Sequence, residues 1–99
     1  MSVVMMLRVK GDPDALERYA QENGEQLKRI TEDARSKGAI HHLFAGGEDE
    51  IIAFDEWPDE ASFQSFFEGQ EEIPRIMQSV AQGEPEVSFF RILDTGDAF

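Results

Sequence analysis

Cysteine is absent from the 99-residue sequence. Disulfides, thiolate metal sites, iron–sulfur clusters and cysteine nucleophiles are excluded with it. Basic residues are scarce: nine Lys and Arg stand against 21 Asp and Glu, giving a net charge of −12 at pH 7. A field of that sign repels phosphates and anionic headgroups, so nucleic acid, membrane surfaces and highly anionic substrates are poor partners. Long apolar runs are also missing. Near the N-terminus the longest is "VVMML", too short for a membrane span or for the apolar core of a secretion signal. A cytoplasmic protein is expected. No glycine-rich loop follows a strand to cradle phosphate, and no serine sits in a nucleophile elbow. The only two histidines are adjacent, so neither HxH nor HxxxH spacing exists for a metal. The expectation is a protein with no metal and no other cofactor.

What is present suits a soluble globular chain, and its length suits one domain over 1–99. Hydrophobic residues make up 40%, with eight Phe among them, enough apolar mass to build a core. The acidic charge is concentrated: residues 48–72 carry ten acids and no Lys or Arg. A solvated acidic rim is the simplest reading of that stretch.

The apolar periodicity organises the chain. "SVVMMLRV" (2–9) reads as a strand that is apolar on both faces, stopped by Gly11-Asp12-Pro13. Asp12 is a good N-cap and Pro13 suits a first helical turn. Leu16, Ala20, Asn23, Leu27, Ile30 and Ala34 then recur at steps of three and four, predicting one long helix that ends before Gly38. Gly24 lies inside it and marks a bend or a close contact. Residues 39–45 and 50–57 read as strands joined by "GGED", a hairpin signal. Pro58 and Asp59 start a second helix with Phe63, Phe66 and Phe67 facing inward, interrupted at Gly69. "QEEIPRIMQSVAQG" reads as a further short helix, and "EVSFFRIL" (86–93) as the fourth strand.

The order β-α-β-β-α-β is that of a ferredoxin-like α+β domain, an antiparallel four-stranded sheet with its helices on one face. The uncovered face should be polar in a monomer, yet Val4 and Met6 compete with Val3, Met5, Leu7 and Val9 in apolarity, as Phe90 and Ile92 do with Val87 and Phe89. Such a surface is an interaction site. Two copies packing sheet on sheet would cover it, so a homodimer is expected.

The chain resembles the dimeric α/β-barrel superfamily, and "EIIAFDEWPDEASFQSFF" resembles its antibiotic-biosynthesis-monooxygenase branch, in which a strand ending in an acid and Trp leads into a helix with Phe. The residues that carry this are Asp55, Glu56, Trp57 and Phe63, with "GAIHHLF" fitting the strand before the hairpin. The resemblance implies a homodimeric barrel with a pocket between each sheet and its own helices. Some members are cofactor-free monooxygenases that oxidise phenolic polycyclic aromatics with O₂. Others degrade haem, using an Asn, a Trp and a His that would fall near Arg8, at Phe66 and near Ile76. None of those residue types is in place, so haem degradation is set aside.

A tight "GGED" connection pairs Gly46 with Asp49 and sets His42 opposite Ala53, with Asp55 its diagonal neighbour. His42 then shares a face with Ile51, Ala53, Asp55 and Trp57, while His41 shares the other with Ile52, Phe54 and Glu56. A His beside a carboxylate in an apolar pocket is what general-base chemistry on a phenol needs. On that reading His42 is the base, Asp55 its orienting partner, Trp57 a flat wall for an aromatic, and Tyr19 and Phe66 further pocket residues. On the other reading the histidines are satisfied fold residues, Trp57 is a core anchor, and the barrel binds a small apolar ligand or serves as an accessory protein. Arg8 and Arg91, each the charge in an apolar strand, need partners. They could bind a ligand carboxylate, or pair with Glu56 or Asp55 or across the dimer, and pairing is favoured over a ligand.

Overall fold

The computed structural model describes residues 2–99. Its elements are β1 (Val3–Lys10), α1 (Pro13–Glu22), α2 (Gly24–Ser36), β2 (His41–Gly46), β3 (Glu50–Trp57), α3 (Glu60–Gly69), α4 (Glu72–Val80) and β4 (Glu86–Arg91). The sheet is antiparallel throughout, in the order β2-β3-β1-β4. This is the expected ferredoxin-like α+β arrangement, with each helical leg divided in two. Among the described residues no helix is long and apolar enough to cross a membrane.

The first leg departs from the expected single helix. Asn23 leaves helical geometry (φ −127°, ψ 41°), and its side-chain amide donates to the Tyr19 carbonyl at 3.0 Å. Its own backbone N–H donates to the same oxygen at 2.9 Å. An asparagine bonding the backbone locally, followed by a glycine with poor helix propensity, is the weak point of an otherwise continuous run. The caps are as expected: Asp12 accepts from the Asp14 N–H at 2.9 Å, and Asp59 from the Ser62 N–H at 2.7 Å. The Ser62 N–H holds the Asp59 carboxyl below the usual range.

The core lies between one sheet face and the helices. Met5, Leu7 and Val9 of β1 and Ile51, Ala53 and Trp57 of β3 are buried against Leu16 of α1, Phe63 and Phe66 of α3, and Ile76 and Val80 of α4. Strand alternation dictates this, since every second side chain of β1 and β3 points to that face. α2 is different. It has no buried residue, and Leu27, Ile30 and Ala34 are only half-buried. The opposite sheet face carries no helix, and on it Leu43 and Phe90 are 53% and 52% exposed.

Arg8 lies on that open face, where its Nη2 donates to both carboxylate oxygens of Glu50 at 3.1 and 3.2 Å. Its partner is thus neither Glu56 nor Asp55. Arg91 makes no ion pair among the described residues.

Gly11 stitches the end of β1 to two other elements. Its N–H donates to the Asp49 carbonyl at 2.9 Å, and it bridges to Ala81 just past α4. A Cβ at this position would sit 2.6 Å from the Val80 carbonyl oxygen. The obstacle is backbone and cannot swing aside, so Gly11→Ala is expected to destabilise the fold by about 1–3 kcal/mol. A urea titration checks this, with a lowered midpoint and an unchanged slope as the expected result.

Candidate active site

The two histidines meet two carboxylates in register. His42 pairs directly with Asp55, and His41 with Glu56. This is a shift of two residues from the expected pairing, because Gly46 lies opposite Ile51 and the connection runs from Gly47 to Glu50, closed by the Gly47 N–H donating to the Glu50 carbonyl at 2.9 Å. A shift of two preserves faces, as the side-chain period of a strand is two. His42 therefore stays on the inner face with Asp55, now as a directly opposed pair.

Asp55 is 6% exposed, and both its oxygens are taken. Oδ1 lies 2.6 Å from His42 Nδ1, and Oδ2 accepts from Trp57 Nε1–H at 3.0 Å. An ionised carboxylate only accepts, so the proton of the neutral imidazole resides on Nδ1 and Nε2 is left with a lone pair. No group among the described residues hydrogen-bonds Nε2. The Phe44 ring stands edge-on to the imidazole, centroids 4.8 Å apart.

His42 and Asp55 line a cavity of about 370 Å³ between the inner sheet face and the helices. Its walls include Met5, Leu7 and Ala53 on the sheet side, and Leu27 and Phe66 on the helix side. It opens beside the edge strand β2, where the inward-facing Ile40 and Phe44 are still 49% and 46% exposed. At about 24 cal/mol per Å³ of empty void, a sealed apolar hole of 370 Å³ would cost about 9 kcal/mol, comparable with the whole stability of a small domain. The open mouth makes such a space tolerable, and its size is that of a small-molecule site.

Of the five residues singled out from the sequence, His42, Asp55 and Phe66 line this cavity. Trp57 and Tyr19 do not. Trp57 is fully buried at the end of β3, beneath Phe63 and Phe66 with ring centroids at 5.7 and 5.4 Å. It touches the site through its N–H on Asp55 rather than through a ring face. Tyr19 is half-buried, and its hydroxyl donates to Gln26 Oε1 at 2.5 Å. The sequence reading missed Phe44 and Arg35 as cavity residues. Phe44 shares the face of His42 two residues earlier, and Arg35 directly follows Ala34 of the apolar stripe; both signals were available.

No family model matches the sequence, and no curated protein matches it. Solved structures do. The chain is similar to a monooxygenase from the gene ActVA-Orf6 of Streptomyces coelicolor, solved with the ligand Nanaomycin D (TM-score 0.71, 13% identity, 95% of this chain and 89% of that one). It is similar to SnoaB, a cofactor-independent oxygenase from Streptomyces nogalater (TM-score 0.65, 15% identity, 98% of each chain). It is also similar to a dimeric ferredoxin-like protein from an uncultured marine organism (TM-score 0.66, 12% identity, 94% of this chain and 89% of that one). The chain thus shares the ferredoxin-like α+β fold of these proteins, the fold that the sequence resemblance implied.

The second pair, His41 and Glu56, lies on the outer sheet face. His41 Nδ1 is 2.9 Å from Glu56 Oε1, while Glu56 Oε2 accepts from the Ser2 hydroxyl at 2.5 Å. The Ser2 hydroxyl foremost, then His41, holds the Glu56 carboxyl below its ordinary value of 4.5. A carboxyl lowered on folding stabilises the fold above its unfolded pKa and loses that contribution as pH falls through its folded pKa. Glu56→Gln is therefore expected to flatten the fall in stability below about pH 4.5. Denaturant midpoints measured from pH 7 to pH 3 check this.

Proposed function

We propose that the protein is a cofactor-independent monooxygenase acting on a small phenolic or quinol-type aromatic, with His42 as general base and Asp55 as its orienting partner. The carrying observation is the His42–Asp55 pair at the mouth of an apolar cavity, with imidazole Nε2 unengaged. Likeness of fold to a monooxygenase and to a cofactor-independent oxygenase supports the reaction class.

In this mechanism Nε2 takes the phenol proton, and Asp55 stabilises the resulting imidazolium. The phenolate passes one electron to O₂, and the radical pair closes a C–O bond at a ring carbon bearing hydrogen. The imidazolium returns its proton to the outer peroxide oxygen. Loss of that ring hydrogen and cleavage of the O–O bond then release water and leave a quinone carbonyl. One phenol and one O₂ thus become one quinone and one water, with the substrate supplying all the electrons. The apolar walls, Phe66 among them, hold the ring and exclude bulk water.

The same walls suit a barrel that binds an apolar ligand without turnover. Oxygen uptake by the purified protein over a panel of hydroquinones, anthrones and related phenols separates the two. Protein-dependent uptake, falling by about 10²-fold or more in His42→Ala, is the expected result. Equal uptake by the two forms contradicts the role of His42, and binding without uptake in either form assigns the binding module.

The protein acts as a homodimer in this account, two sheets packing on their open faces to cover Leu43 and Phe90 and the half-buried Val4, Met6, Ile52 and Phe54. Likeness to a dimeric ferredoxin-like protein supports this. Light scattering is expected to give about twice the chain mass of 11.2 kDa, and Phe90→Glu to lower it; a wild-type mass of 11.2 kDa contradicts the dimer.

A further inference from the structure

Among the described residues, Arg35 is the one cation other than histidine on the cavity wall. It sits in the last turn of α2 and lines the cavity together with His42. Among the described residues its guanidinium makes no ion pair. Arg8, Arg18, Arg29 and Lys37 all have carboxylate partners. Of the five Lys and Arg with no ion pair among the described residues, Lys10, Lys28, Arg35, Arg75 and Arg91, Arg35 is the one that lines the cavity.

The other ionisable groups on the wall are committed. Both Asp55 oxygens are taken, His42 Nδ1 is taken, and His41 is held by Glu56 on the opposite face. The five donors of a guanidinium form a planar fork that matches a carboxylate. Its place at the mouth lets a ligand carboxylate remain hydrated while the apolar body enters between sheet and helices. The net charge of −12 limits the ligand further, because each added negative charge meets the repulsion of the whole protein. A monocarboxylate fits that balance better than a phosphate dianion.

We infer that Arg35 determines ligand class: the cavity takes an aromatic monocarboxylate, its ring among the apolar walls and its carboxylate on the Arg35 guanidinium. This rests on the cavity being a ligand site, as proposed above, and it assigns the site a selectivity that the general base does not supply. Because Arg35 and His42 line one cavity, a ligand so anchored shares that space with the imidazole.

Titration calorimetry with 6-hydroxy-2-naphthoate and the neutral 2-naphthol, on the wild-type protein, Arg35→Gln and Arg35→Lys, tests the inference. The naphthoate is expected to bind the wild type more tightly than 2-naphthol does. Arg35→Gln should weaken naphthoate about 10-fold or more and leave 2-naphthol unchanged, which also shows that the variant keeps its cavity. Arg35→Lys, retaining the charge without the fork, should fall between. Naphthoate binding that is unaffected by Arg35→Gln, with 2-naphthol still bound, overturns the inference alone. Equal weakening of both ligands also overturns it. Failure of both to bind the wild type overturns the inference and the ligand-site reading together.

Discussion

The buried carboxylate of Asp55 is the constraint on which the rest of the site depends. A charge taken from water costs several kcal/mol unless hydrogen bonds replace the lost hydration. Asp55 is the one polar or charged residue that is buried among the described residues, and it receives one donor on each oxygen. Both donors are set by strand geometry: Trp57 lies two residues along the same face of β3, and His42 lies directly across on β2. Trp57 is in turn packed against Phe63 and Phe66 of α3. The orientation of the imidazole at the cavity mouth is therefore inherited, through one carboxylate, from the aromatic core. Across the described residues no buried side-chain polar atom lacks a partner, so the network is closed.

The cavity has an equally specific origin in the way α2 is held. α3 and α4 drive large side chains down onto the sheet, whereas α2 is suspended at its rim by polar contacts. Gln26 donates to Glu72 at 3.3 Å, Arg29 pairs with Glu72 at 3.5 Å, and Asp33 accepts from Gln70 at 3.1 Å. These tie α2 to the α3–α4 leg and set its half-buried apolar stripe along the cavity wall. The break at Asn23 detaches α2 from the line of α1, whose Leu16 is buried. Three of the acids in the 48–72 stretch, Glu50, Asp59 and Glu72, serve as an ion-pair partner, a helix cap and a link to α2. Part of that acidic rim is thus structural.

The alternation in "EIIAFDEW" identifies the buried face of β3 residue by residue, because one period-two pattern can satisfy one core only. The faces of His41 and His42 are legible for the same reason. Their partners are not: a slip of two residues leaves every face unchanged, so apolar patterning cannot tell Ala53 from Asp55 as the residue opposite His42. Turn closure at Gly47 decides it, through a backbone hydrogen bond that no side-chain pattern records. Trp57 shows another limit. Its face is readable, but whether an aromatic at the end of a strand walls a cavity or lies under a helix depends on how Phe63 and Phe66 descend from α3. The helix break was signalled by Asn23-Gly24, yet the apolar stripe runs through it with unbroken spacing, and a stripe is blind to a local change of backbone course. Arg35 stands one residue outside that stripe, where composition says only that a helix end favours a cation.

The central claim is that Asp55 sets the tautomer of the neutral His42 ring, with the proton on Nδ1 and Nε2 free to accept one. Nitrogen-resolved NMR of the two histidine side chains, at a pH where both rings are neutral and with His41→Gln to assign them, reads this directly. The account predicts a protonated Nδ1 and an unprotonated Nε2 for His42, and loss of that preference in Asp55→Ala. A neutral His42 carrying its proton on Nε2 would contradict it.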